Sequence, residues 1–147
     1  MKAVIQRVKE ATVKIETKDI GKIKKGILIL LCVEEGDTQK DADFLSDKII
    51  NLRMFEDANH KMNLSCLDIK GEFLVISQFT LSCDCSKGRR PSFDGSAKPD
   101  LAEKLYLYFI DKLKQSSLNV EAGVFGAMMD IHLVNYGPVT FILNSRQ

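Results

Sequence analysis

Seven consecutive apolar residues, Ile27-Leu28-Ile29-Leu30-Leu31-Cys32-Val33, follow Gly26 with no charge among them. The run is too short for a typical helix and far too short to span a bilayer, which takes about 20 residues. A strand with both faces covered fits it. Phe73-Leu74-Val75-Ile76, after Gly71, repeats the pattern. A chain with two such strands must fold around a sheet clothed on both sides.

The remaining elements follow from periodicity and punctuation. Ala11, Val13 and Ile15 alternate with Thr12, Lys14 and Glu16, the period of a half-buried strand, and a short strand ends at Ile23. Thr38 with Asp41 resembles a capping box and opens a helix whose apolar positions are Ala42, Leu45, Ile49 and Leu52. Pro99 suits the first turn of a second helix, with Leu101, Leu105, Tyr108, Phe109 and Leu113 as its apolar face. Strands are predicted around Met54-Phe55 and over 120–125, 131–135 and 139–143, the last two separated by Tyr136-Gly137-Pro138. Residues 82–99 read as a long loop, which in a compact domain is more often functional. Two helices, about seven strands and no strand–helix alternation predict an α+β class: a mostly antiparallel sheet curled into a barrel-like domain. The 147 residues fit one domain spanning the whole chain.

Several function classes lose support here. A net charge of +1 supplies no global field for nucleic acid, so RNA contact would need a local patch. The N-terminus lacks an apolar signal-peptide core, and a cytoplasmic protein with no membrane contact is expected. No nucleotide-phosphate motif is present, and no cofactor is expected. Cys83-Asp84-Cys85 lacks the second ligand pair of a structural zinc site, so no metal is expected. Four cysteines without a mark of secretion read as free thiols, Cys32 buried. His60 and His132 stand in no ligand or catalytic pattern.

Three segments each carry two readings. Ser77-Gln78-Phe79-Thr80-Leu81 ends a buried strand. Ser77 and Thr80 could face a site, yet no base for a hydroxyl nucleophile is visible, and Phe79 and Leu81 could simply be core. Lys87-Gly88-Arg89-Arg90-Pro91 could hold RNA phosphates or be ordinary surface charge. Gly137-Pro138 could be a plain hairpin connection or a cis element that re-aims main-chain carbonyls. Only about 5–6% of X-Pro bonds in folded proteins are cis, so residue physics alone predicts trans.

Taken together, the segments resemble the D-aminoacyl-tRNA deacylase family. The likeness runs from Ala3-Val4-Ile5-Gln6-Arg7-Val8 through Gly36-Asp37-Thr38, Asn51-Leu52-Arg53, Phe55-Glu56-Asp57, Lys61-Met62-Asn63-Leu64-Ser65, the segment from Ser77 to Leu81 and Lys87-Gly88-Arg89-Arg90-Pro91-Ser92-Phe93 to Phe125-Gly126-Ala127 and Asn135 to Thr140. The resemblance implies a homodimer with its site at the subunit interface. It implies hydrolysis of the ester joining a D-amino acid, or glycine, to the 3′-terminal adenosine of tRNA. Gly137 and Pro138 would be a cis chiral filter entering the partner's pocket. Ser77, Gln78, Phe79 and Thr80 would line that pocket, Thr80 positioning substrate rather than attacking it while the tRNA 2′-hydroxyl assists water. Arg7 would brace the Gly-Pro element, Phe125 and Met129 would hold the adenosine, and Lys87, Arg89 and Arg90 would meet RNA phosphates. A binding module without turnover and an esterase with a Thr80 or Ser77 nucleophile are the competing readings. Cys32 and the Cys83–Cys85 pair depart from the family pattern.

Overall fold

The computed structural model describes residues 1–86 and 88–146. Strand β1 (Lys2–Ile15) organises the sheet because it is long enough to hold three neighbours. One edge pairs with β3 (Gly26–Cys32) over residues 2–8 and with β2 (Lys18–Ile23) over residues 11–15; the other edge pairs with β8 (Asp130–Asn144). All three pairings are antiparallel. Beyond β3 lie β6 (Glu72–Ser77) and then β7 (Val120–Ala122), both parallel to their neighbours. The short β4 (Phe55–Glu56) and β5 (Met62–Leu64) form a separate hairpin. β2 curls round against β6 and β7, so the sheet nearly closes. The mostly antiparallel, barrel-like α+β class is observed.

Two local expectations differ. The helices α1 (Gln39–Asn51) and α2 (Pro99–Lys114) lie on the connections from β3 to β6 and from β6 to β7, so this side of the sheet is parallel and mixed with the rest. The strand–helix units are too few and too unevenly spaced to show as alternation. β8 also runs unbroken through Gly137-Pro138, where a connection between two strands is the simpler expectation. It keeps its pairing to β1 on both sides of an irregularity between the Gln6–Thr140 and Val8–Asn135 pairs.

Both faces of β3 are buried, as its composition demands. Ile27, Ile29 and Leu31 face the helices with Phe73, Val75, Phe109 and Leu113. Leu28 joins Leu74, Ile76, Val8 and Val13 inside the curl. The parallel pairing starts at Gly26, where a Cβ would lie 1.9 Å from the Glu72 carbonyl oxygen. Only glycine permits that approach.

The first turn of α1 carries the expected exchange: the Asp41 carboxylate accepts the Thr38 N–H at 2.8 Å. On α2 the buried residues are Leu105, Tyr106, Phe109, Ile110 and Leu113, with Ala102 packed beside them, while Leu101 is exposed and Tyr108 half-buried. Spacings of three, four and seven residues from Ala102 form one stripe and leave Leu101 off it. Buried Tyr106 donates its hydroxyl to the Val75 carbonyl at 2.9 Å and approaches the Gly123 carbonyl at 3.4 Å, tying α2 to the ends of β6 and β7.

Burial pushes the Tyr106 phenol up to about 12. The unfolded chain releases this proton near pH 10, so stability is complete below about pH 10 and falls as pH rises toward 12. Tyr106→Phe should cost about 1 kcal/mol at neutral pH in urea unfolding and should flatten that alkaline decline.

Candidate functional site

At Ser77 the buried strand β6 ends, and the Gln78 N–H extends the parallel ladder by one bond to the Leu31 carbonyl at 2.8 Å. The chain then turns into a 3-10 turn, Phe79–Ser82. The Phe79 carbonyl collects donors: Ser82 Oγ at 2.8 Å, Cys32 Sγ at 3.4 Å and Ser96 Oγ at 3.5 Å. Ser82 and Ser96 are also in very short hydroxyl contact. These bonds pin the turn from below and leave its outer surface free. Phe79 is 55% exposed, its ring edge-on to Phe93 at 5.1 Å, so it is not the core residue that local pattern permits. Thr80 Oγ1 accepts the Gln78 side-chain amide at 2.5 Å, and among the described residues no base hydrogen-bonds it. Among the described residues the Phe79 and Thr80 N–H groups have no protein acceptor, as expected at the start of a helical turn.

A second cluster forms where β1 and β8 shift register. Arg7 is 3% exposed. Its Nε donates to the Tyr136 carbonyl and its Nη1 to the Met54 carbonyl, each at 2.8 Å. Glu56 lies 3.8 Å from Nη2, and the guanidinium stacks 4.7 Å above the Tyr136 ring. Lys9 and Lys25 reach the same ring at 5.6 and 5.7 Å. Gly137 and Pro138 follow at once, both exposed, with a cis bond between them. That is the geometry the family resemblance implies and the opposite of what residue physics predicts. Gly137 has φ +135°, and a Cβ there would lie 2.9 Å from Arg7 Nη2 and 2.8 Å from Val139 Cγ2.

Within one chain these clusters stay apart. Leu31 pairs with both Ser77 and Ala3, and Ala3 pairs with Leu143. Gly137 therefore sits roughly 15–20 Å down β8 from the level of Ser77, and three strand spacings of about 4.8 Å across the sheet. Phe125 and Met129 stand nearer the β6 end. Phe125 tilts against Tyr106 at 5.8 Å, Met129 packs in the inner core, and the Gly123 N–H bonded to the Val75 carbonyl at 3.0 Å anchors their segment. Arg89 and Arg90 are exposed and make no salt bridge among the described residues; Lys87 lies outside the described residues. Cys32 and Cys66 are buried, Cys83 and Cys85 exposed, and all four are free thiols. Exposed His132 stands outside both clusters; exposed His60 lies 3.6 Å from Glu56 at the rim of the Arg7 cluster. Sequence reasoning misses Lys9, Lys25 and Tyr136 as a group. The pair Lys24-Lys25 and an aromatic residue before Gly-Pro are the signals that were present.

The family model described as D-Tyr-tRNA(Tyr) deacylase matches residues 4–144. A relative from Geotalea uraniireducens (strain Rf4), a D-aminoacyl-tRNA deacylase, is 59% identical over 145 residues, covering 99% of this chain and 94% of its own. A solved structure titled c-Myc DNA Unwinding Element Binding Protein is 40% identical with a TM-score of 0.94, covering all of both chains. Another, a probable eukaryotic D-amino acid tRNA deacylase, shares the fold at a TM-score of 0.82 and 15% identity, covering 97% of this chain and 98% of that one.

Arg7→Lys keeps the charge but cannot send two fixed donors to two carbonyls. It should lower stability by about 2 kcal/mol in urea unfolding, because one buried carbonyl loses its partner.

Proposed function

The chain belongs to the D-Tyr-tRNA(Tyr) deacylase family, and from that premise we propose how it tells D- from L-aminoacyl esters. It is a hydrolase of D-aminoacyl-tRNA: water adds to the ester carbonyl, the bond to the terminal ribose breaks, and free amino acid and tRNA leave.

The reading rests on one observation: Gly137 and Pro138 stand exposed while Arg7 holds the carbonyl just before them from behind. In the proposed mechanism this rigid main-chain element of one subunit enters the Ser77–Thr80 pocket of a second. Its carbonyl oxygens accept the substrate ammonium group and occupy the space that an L side chain would need. Glycine has nothing to exclude, so glycyl-tRNA is also cleaved. The separation of the two clusters within one chain supports a homodimer, as does the exposure of Val134 and Ile142 (78%) along β8. Ser77, Gln78 and Phe79 shape the pocket, and the Phe79 and Thr80 N–H groups are the candidate donors to the developing oxyanion. Thr80, bonded to an amide and not to a base, positions substrate, and the tRNA 2′-hydroxyl assists the attacking water. Phe125 and Met129 flank the adenosine. Arg89 and Arg90, with Lys87, meet phosphates. The setting is a cytoplasmic protein acting as one domain per subunit; among the described residues no helix is long and apolar enough to cross a membrane.

Purified protein should release D-tyrosine from D-tyrosyl-tRNA and leave L-tyrosyl-tRNA intact; equal rates on the two would sink the filter. Gly137→Ala should cut the D rate at least tenfold through backbone strain and the contact with Arg7. Thr80→Ala should stay within a few-fold of wild type with no trapped acyl-enzyme in quenched-flow mass spectra, whereas a covalent adduct would restore the nucleophile reading.

A further inference from the structure

The two exposed thiols beside the pocket play no part in this chemistry. Cys85 donates its S–H to Cys83 Sγ at 3.9 Å, and both residues are solvent-exposed. The other two cysteines differ in kind. Cys66 is buried, and burial pushes its thiol up to about 12; burial also raises that of Cys32, whose S–H is engaged by the Phe79 carbonyl. Oxidant reaches exposed sulfur first, so it meets the loop pair before the buried thiols.

We propose that Cys83 and Cys85 are an oxidation site at which a hydroperoxide closes an intraloop disulfide that disturbs the adjoining pocket. Cys83, the acceptor of the S–H···S bond, is the attacking sulfur. Its thiolate takes the outer peroxide oxygen, the O–O bond breaks, and an alcohol or water leaves with a proton. The resulting sulfenic acid is attacked by Cys85, the S–O bond breaks, and water leaves. Two thiols and one hydroperoxide thus give one disulfide, one alcohol and one water, the two sulfurs supplying two electrons.

The loop transmits this change to the pocket. Sulfurs 3.9 Å apart must close to about 2.05 Å, which contracts the chain around Asp84. Asp84 is bonded both ways to Ser92, at 2.8 and 3.0 Å. Ser92 precedes Phe93, whose ring rests on Phe79. On the other side the Cys83 N–H donates to the Thr80 carbonyl at 3.1 Å. Contraction therefore pulls on Phe79 through Ser92–Phe93 or on Thr80 directly. A bond closed under such strain and exposed to solvent is also readily reduced, so the change is reversible.

The test uses full-length protein treated with hydrogen peroxide and analysed by intact mass, peptide mapping and D-aminoacyl-tRNA turnover. The expected product is a single chain lighter by about 2 Da, with the link mapped to Cys83–Cys85 and Cys32 and Cys66 still alkylatable after denaturation. It is absent from C83S and from C85S, and dithiothreitol reverses it. Turnover falls several-fold on oxidation and returns on reduction, while the C83S/C85S double variant turns over normally before and after peroxide. Four results overturn the proposal: sulfinic acid at either residue without a disulfide, a disulfide between chains, a link to Cys32 or Cys66, or a Cys83–Cys85 disulfide with unchanged turnover. The mass readout does not depend on the deacylase reading, so a protein inactive on the substrate still reports on the disulfide.

Discussion

A buried guanidinium holds the exposed Gly137-Pro138 element in place. Arg7 is taken out of water on β1, and that desolvation is offset by two full-length hydrogen bonds, a nearby carboxylate and an aromatic face. Its partners come from three places: Met54 just before β4, Glu56 on β4, and Tyr136 on β8 just ahead of Gly137. None of these can move without leaving a charge or a carbonyl unpaired in a dry site. A stiff main-chain element can then be offered to solvent without folding back. The local backbone geometry depends on this buried ion.

The fold was legible where one residue type had one reading. A seven-residue apolar run has few options, and β3 is buried on both faces; Thr38 and Asp41 mark the start of α1 just as clearly. Legibility fell where partners are distant in sequence. Residue pattern alone does not mark Arg7, because its acceptors are main-chain carbonyls that no side-chain pattern records; only the family resemblance set it beside Gly137-Pro138. On α2, Leu105, Phe109 and Leu113 were legible, whereas apolar Leu101 lies exposed and the buried Tyr106 and Ile110 were not marked by the spacing. β8 crosses Gly137-Pro138 without stopping because β1 pairs it on both sides, a tertiary support that outweighs the local breaking signal. Of the candidate site, Ser77, Gln78 and Thr80 were legible as polar residues at the end of a buried strand, though pattern alone also fitted a plain polar interruption. The Phe93 and Ser96 contacts that complete the turn come from a loop with no periodicity to read.

The Phe79–Ser82 turn is defined as much by what it lacks as by what it holds. Among the described residues no acid–base side chain bonds to Thr80. What is present is a turn with its carbonyl side pinned by three donors and its N–H side open. A turn built this way offers open N–H donors and fixed orientation rather than a proton-transferring side chain.

The irregularity in β8 has a consequence away from the pocket. A strand of 15 residues with one edge paired only to β1 is a template on which other chains can add, the usual route to edge-to-edge aggregation. Pro138 offers no N–H to such an incoming strand, and the register shift beside it breaks the ladder into two short lengths. The irregularity beside Gly137 thus guards the sheet's longest open edge, so straightening it would cost solubility.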